Sequence, residues 1–155
     1  MLSIKQNLGE SFHSFIKKNK IMTDYIYELE FTVRDYECDL QGIVNNSIYM
    51  NYLEHTRHEF LKKMGGDFVE LAKENIFPMV YKAELEYKNS LKSGDDFIVK
   101  VKVEKEGHLK AIFLQDIFRK KDNKLMLKGR ITAVIIKNGR PIKPDILLKP
   151  IEHLL

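Results

Sequence analysis

The side-chain period of this chain changes once, near Pro78, and that change limits the folds open to it. Before it, Tyr49, Tyr52-Leu53, Thr56, Phe60 and Met64 recur at helical spacing, with Glu54, Arg57-His58 and Lys62 among the polar positions between them. After it the period is two: Phe97, Val99, Val101 and Val103 alternate with Ile98, Lys100, Lys102 and Glu104. This reading predicts a helix over about 46–64, stopped by Gly65-Gly66, a shorter helix over about 67–74, and four strands near 79–88, 96–106, 109–120 and 125–137. Upstream, Tyr25, Tyr27, Leu29, Phe31 and Val33 alternate as a strand with one buried face. Ser93-Gly94-Asp95, Glu106-Gly107 and Lys121-Asp122-Asn123-Lys124 are turn signals, and the last two are short enough for an antiparallel meander. Asn138-Gly139 is expected to end the last long strand, leaving Pro141 to Pro150 extended. One strand, one long helix and four strands make an α+β layout, a five-stranded antiparallel sheet wrapped around one helix. Such a sheet leaves a face or edge in need of cover, so a homo-oligomer is expected.

Length and composition agree with a single domain. The chain has 155 residues, 44% hydrophobic and 31% charged, with no apolar run long enough to span a bilayer. Residues 1–21 form a separate piece: Leu2, Ile4, Leu8, Phe12 and Phe15-Ile16 suit one helix face, without the features of a signal peptide. They are expected to be a short helix or a partly ordered extension, with residues 22–155 as the domain; Met22 is a conceivable alternative start. The single Cys38 excludes an intrachain disulfide and suits a reducing, cytoplasmic compartment. A net charge of +4 with dispersed lysines does not compel nucleic-acid binding and suits a polyanionic small molecule.

The chemistry concentrates in the run from Asp39 to Arg57. Asp39-Leu40-Gln41-Gly42 is a polar turn leading straight into the helix, which sets a carboxylate just before a helix N-terminus. A helix N-terminus presents unpaired N–H groups and a partial positive charge, so the two together can polarise a carbonyl and attack it, or activate a water beside it. A turn carboxylate bonded to its own backbone is the competing structural reading. Asn45 or Asn46 suits an N-cap. Gly42 permits a tight turn. Cys38 lacks a local base to activate it and is read as packing. His55 and His58, three apart on the helix, lack further ligands at metal-binding spacing. No glycine-rich phosphate loop and no Gly-x-Ser-x-Gly elbow occur.

The block Asp39, Gly42, Val44, Tyr49, Glu54 and Arg57, in register without a gap, resembles the hotdog-fold acyl-CoA thioesterases of the 4-hydroxybenzoyl-CoA thioesterase and YbgC-like group. Val44-Asn45-Asn46 is also similar to the plant-type acyl-ACP thioesterases of the same superfamily, and a weaker resemblance runs from about Tyr25 to about Pro144. The resemblance implies a hotdog fold, a homodimer or homotetramer, and hydrolysis of acyl-CoA or acyl-ACP to acid and thiol without metal or dissociable cofactor. It implies Asp39 as nucleophile or general base, the backbone N–H of Asn46 as carbonyl donor, and Glu54 as the helix glutamate of the site. It departs from the YbgC-like pattern at Asn46, where those proteins commonly carry His. Asn45, Gly42, Tyr49 and Tyr52 are candidates for the substrate pocket, although Tyr49 and Tyr52 equally suit the core. Lys88, Lys92 and Arg140 are candidates for the coenzyme A phosphates. Two other readings remain: a non-catalytic hotdog protein that binds acyl-CoA, and a hotdog dehydratase or hydratase, whose usual His is not matched here.

Overall fold

The computed structural model describes residues 25–154; the extension expected over 1–21, and Met22, lie outside the described residues. The strands are β1 (Tyr27–Thr32), β2 (Ile76–Tyr87), β3 (Asp96–Glu106), β4 (Lys110–Arg119), β5 (Lys124–Lys137) and β6 (Arg140–Ile142). The helices are α1 (Asn46–Lys63), α2 (Phe68–Lys73) and α3 (Asp145–Leu148), with 3-10 turns at Asp35–Glu37 and Lys149–Leu154. The sheet runs in the order β1-β3-β4-β5-β2, and every pairing is antiparallel. Because β1 and β2 follow one another in sequence yet take opposite edges, the chain between them must cross a sheet face. Helix α1 makes that crossing.

Its buried residues are Tyr49, Tyr52, Leu53, Thr56, Arg57, Phe60 and Leu61, a stripe at three- and four-residue spacing. Phe60 meets Tyr27 of β1 and Phe113 of β4, with ring centroids at 5.4 and 6.4 Å. Tyr52 meets Phe31 of β1 and Phe97 of β3 at 5.5 and 4.8 Å. At Gly129 of β5 an added Cβ would come within 2.9 Å of Leu53 Cδ1 and 3.0 Å of the Gln115 carbonyl oxygen. Only a residue without a side chain lets the helix lie this deep. Register shifts at Val80/Lys82 in the β2–β5 pairing and at Ile117/Phe118 in the β4–β5 pairing add twist, which curls the long strands around the helix.

Three expectations need correcting. Arg57 sits on the buried stripe of α1, not among the polar positions between. Asn138-Gly139 does end the last long strand, at Lys137, but the chain turns back there and adds a strand to the five expected. Both turn residues have positive φ, 48° and 78°, the geometry of a two-residue hairpin turn, and β6 pairs with β5 from Ile135 to Lys137, just beyond the Val134 position where β4 ends. The sheet therefore has six strands among the described residues. Residues 145–154 are helical, not extended. Leu147, Leu148 and Ile151 are buried there at helical spacing, and Asp145 is held by Lys105 Nζ at 2.8 Å. Three buried positions are too few to stand out as a period. Strand β2 also begins at Ile76, three residues earlier than expected; Pro78 is tolerated because β2 is an edge strand among the described residues, with one side outside any pairing there.

Candidate active site

The segment from Val33 to Asn45 runs from β1 to the start of α1 and is tied down at several points. Val33 N donates to the Asp95 carbonyl at 3.0 Å, Val44 N to that of Leu91 at 2.9 Å, and Asn45 N to that of Glu37 at 3.0 Å. Its internal anchor is Glu37, a buried carboxylate that accepts from Arg34 N at 2.8 Å and from the Tyr52 hydroxyl at 2.7 Å. Burial, reinforced by that bond to Glu37, pushes the Tyr52 hydroxyl well above its ordinary pKa, so it stays a donor. Tyr52→Phe strips the buried carboxylate of this partner. It should lower stability by about 1–3 kcal/mol, read from the denaturant midpoint. An unchanged midpoint would show that Glu37 does not depend on this bond.

Two residues after this anchor, Asp39 heads a tight turn. Its N–H donates to the Ile43 carbonyl at 2.8 Å, and its own carbonyl accepts from Gly42 N at 3.0 Å, with Gly42 at φ 74°. Its carboxylate is exposed and accepts from Gln41 N at 2.8 Å. The self-bonded turn and the functional reading thus coexist, because one carboxylate oxygen is occupied and the other has no protein partner among the described residues. Asn45 caps α1, its side chain accepting from Ser47 N at 3.0 Å and its carbonyl from Ile48 N at 3.0 Å. That leaves the N–H of Asn46, the first helical residue, without an acceptor among the described residues. Asp39 and Asn46 border the same cleft, a cavity of about 280 Å³ whose walls include Val44, Tyr49, Tyr87 and Lys88. Tyr87 donates its hydroxyl to the Asn46 carbonyl at 3.0 Å, and Tyr49 accepts from Leu91 N at 3.2 Å. Burial raises the Tyr49 pKa. A carboxylate and a free helix-terminal donor facing one cleft can attack, or deliver water to, a carbonyl carbon while its oxygen is held.

Of the sequence candidates, Asp39, Asn46, Tyr49 and Lys88 meet at this cleft, and Asn45 and Gly42 shape its approach. Lys88 is ion-paired with Glu86, and the exposed Lys92 adjoins the site through the backbone bridge to Ile43. Tyr52 belongs to the core and to Glu37. Glu54 is not in the cleft: it lies eight residues along α1 from Asn46, about 12 Å at 1.5 Å per residue. It stands 4.0 Å from His58 Nε2 and does not pair with Arg57. Arg140 is remote as well. It pairs with Lys137, eleven residues along β5 from the cleft end of that strand at Met126. His55 and His58 turn to Phe31 and Phe68, respectively, and no group of three metal-binding side chains occurs among the described residues. Cys38 is half-buried against the core.

Glu37, Tyr87 and Gln115 escaped the sequence reading, and Arg57 entered it as a motif residue on the polar side of the helix, not as a buried partner of Gln115. Tyr87 and Asn46 are 41 residues apart, and Arg57 and Gln115 are 58 apart, so no local spacing pairs them.

Residues 33–149 match the family model described as "Thioesterase-like superfamily". The chain is 32% identical over 142 residues to the acyl-acyl carrier protein thioesterase ATL3, chloroplastic, of Arabidopsis thaliana, covering 90% of this chain and 74% of that protein. It is 31% identical to a putative esterase of Aquifex aeolicus, over 70% of this chain and 83% of that one. Among solved structures it is similar to the DHNA-CoA thioesterase of Staphylococcus aureus, with TM-score 0.71, 25% identity, and 82% and 86% of the two chains covered. A hypothetical protein from Aquifex aeolicus gives TM-score 0.74 at 27% identity, over 81% and 99%. The fold is that of the hotdog thioesterases. The chain belongs to the thioesterase-like superfamily, and its reaction is hydrolysis of an acyl thioester.

Proposed function

We propose that the protein cleaves acyl-CoA or acyl-ACP to a free acid and a thiol, with Asp39 delivering the attack and the N–H of Asn46 holding the carbonyl oxygen. The observation that carries this reading is the shared cleft of the exposed Asp39 carboxylate and the acceptor-free Asn46 N–H. As nucleophile, Asp39 forms a mixed anhydride and expels the thiolate, and water then releases the acid. As general base, it takes a proton from the attacking water, and that proton leaves with the thiol. Lys88 and Lys92 stand at the cleft's edge for the phosphates of the carrier. Acyl-ACP as carrier is supported by the Arabidopsis relative, and acyl-CoA by the Staphylococcus structure. Thiol release over a panel of acyl-CoA and acyl-ACP substrates tests the proposal. Binding without release from any of them would move the assignment to a non-catalytic acyl-thioester binder.

The working form is a homodimer or a homotetramer built from dimers, with the site near the subunit boundary, and we place it in the cytoplasm on the evidence of the single, unpaired Cys38. Strand β2 supports the assembly. Among the described residues it pairs with β5 alone, leaving its other edge without a strand, and it exposes Phe77, Met79, Val80 and Tyr81. The combined Val80→Lys and Tyr81→Lys change should shift sedimentation from dimer toward monomer and lower activity with it. A wild type that sediments as a fully active monomer would refute the assembly. No described helix is long and apolar enough to cross a membrane.

A further inference from the structure

A second cavity of about 280 Å³ lies between α1, the sheet and the C-terminal segment, and it shares no lining residue with the Asp39 cleft. Its walls are mostly apolar, with Phe113, Ile135 and Leu148 among them, and Glu54, Arg57 and His58 supply the polar groups. Arg57 is only 6% exposed. Its Nη1 donates to Gln115 Oε1 at 2.8 Å, and Gln115 in turn donates to the Leu53 carbonyl at 2.9 Å. That single bond to a neutral amide is the only hydrogen bond or ion pair Arg57 makes among the described residues. No buried side-chain nitrogen or oxygen among them lacks a partner, so the remaining guanidinium N–H groups must border open space, and the open space beside them is the cavity. Glu54 lies at the exposed side of the same cavity, 4.0 Å from His58 Nε2, and gives Arg57 partial compensation. Burial outweighs that help and lowers the Arg57 pKa to about 10, so the cation is charged at neutral pH and short of negative charge.

A desolvated guanidinium at the wall of an apolar cavity fits a ligand with an anionic head and an apolar body. We propose that this cavity binds a free monocarboxylic acid, its carboxylate on the open N–H groups of Arg57 and its apolar body against Phe113, Ile135 and Leu148. A cavity of about 280 Å³ is on the scale of small-molecule sites, and octanoate serves as a probe of medium size for it. The inference does not rest on the hydrolytic reading, because binding is measured without any thioester.

The test is calorimetric titration of the wild-type protein with octanoate and with 1-octanol, then of Arg57→Met, which keeps much of the side-chain volume. Octanoate should bind the wild type at least tenfold more tightly than octanol, and Arg57→Met should abolish the difference. Equal affinities in the wild type, or discrimination surviving in a folded Arg57→Met, would overturn the proposal. Should Arg57→Met fail to fold, photolabelling of the wild type with a diazirine-bearing octanoic acid decides. Labels on residues 131–135 or 144–148 support the site, and labels confined to residues 87–90 of the Asp39 cleft overturn it.

Discussion

Asp39→Asn should reduce turnover of a good acyl thioester by roughly a hundredfold or more, the scale of losing a positioned acid–base or nucleophilic group. The substitution is nearly isosteric, and the remaining side-chain oxygen can still accept from Gln41 N, which takes up one carboxylate oxygen at 2.8 Å. The backbone bonds that shape the turn, Asp39 N to Ile43 O and Gly42 N to Asp39 O, do not involve the side chain. What disappears is the negative charge that either route requires. Substrate binding should change far less, because the cleft walls at Val44, Tyr49 and Tyr87 are untouched, so the loss should appear in kcat rather than KM. Asn46→Ala should be milder, since the proposed donor is a backbone N–H that Ala retains. Steady-state thiol release separates the two variants. A wild-type rate in Asp39→Asn would remove Asp39 from the mechanism.

The largest stability effect is expected at Phe60. Its side chain is fully buried, between Tyr27 on one edge strand and Phe113 in the middle of the sheet. Truncation to Ala removes that packing and leaves a cavity, at a cost of about 3–5 kcal/mol. Set against a total of about 5–15 kcal/mol for a typical domain, this is a large share of the stability. Because Phe60 seats the same helix whose first residue carries the proposed oxygen donor, a Phe60→Ala protein that still folds should also lose activity. Urea denaturation at fixed protein concentration measures the change, the concentration being held because assembly shifts the midpoint. A midpoint within error of wild type would show that α1 is held by other contacts.

How far these elements could be read in advance depended on distance along the chain. Helix α1 was expected over 46–64 and spans Asn46–Lys63, with Met64 as its C-cap. Strand β3 was expected over 96–106 and is Asp96–Glu106. Both show many repeats of a period, and period reports which side chains share a face. Strand β6 and helix α3, three and four residues long, are too short to show one. The Asp39 turn was legible for a related reason: carboxylate, glycine and helix start lie within eight residues, so chain geometry alone brings them near one another.

The sequence by itself determined the type and order of the long elements, the α+β class and the placing of one carboxylate before a helix N-terminus. Side-chain periodicity and turn residues act over a few positions, and they state their outcome locally. The tertiary structure alone decided that Glu37 is buried against Tyr52, that Tyr87 braces the start of α1, and that Arg57 turns inward to Gln115 beside a cavity. It also removed Glu54 and Arg140 from the Asp39 cleft of a single protomer. Each of these depends on which strand lies opposite which helical turn. That is set by the packing of segments 15 to 58 residues apart, where the identity of a polar residue says nothing about whether it will meet water or a partner.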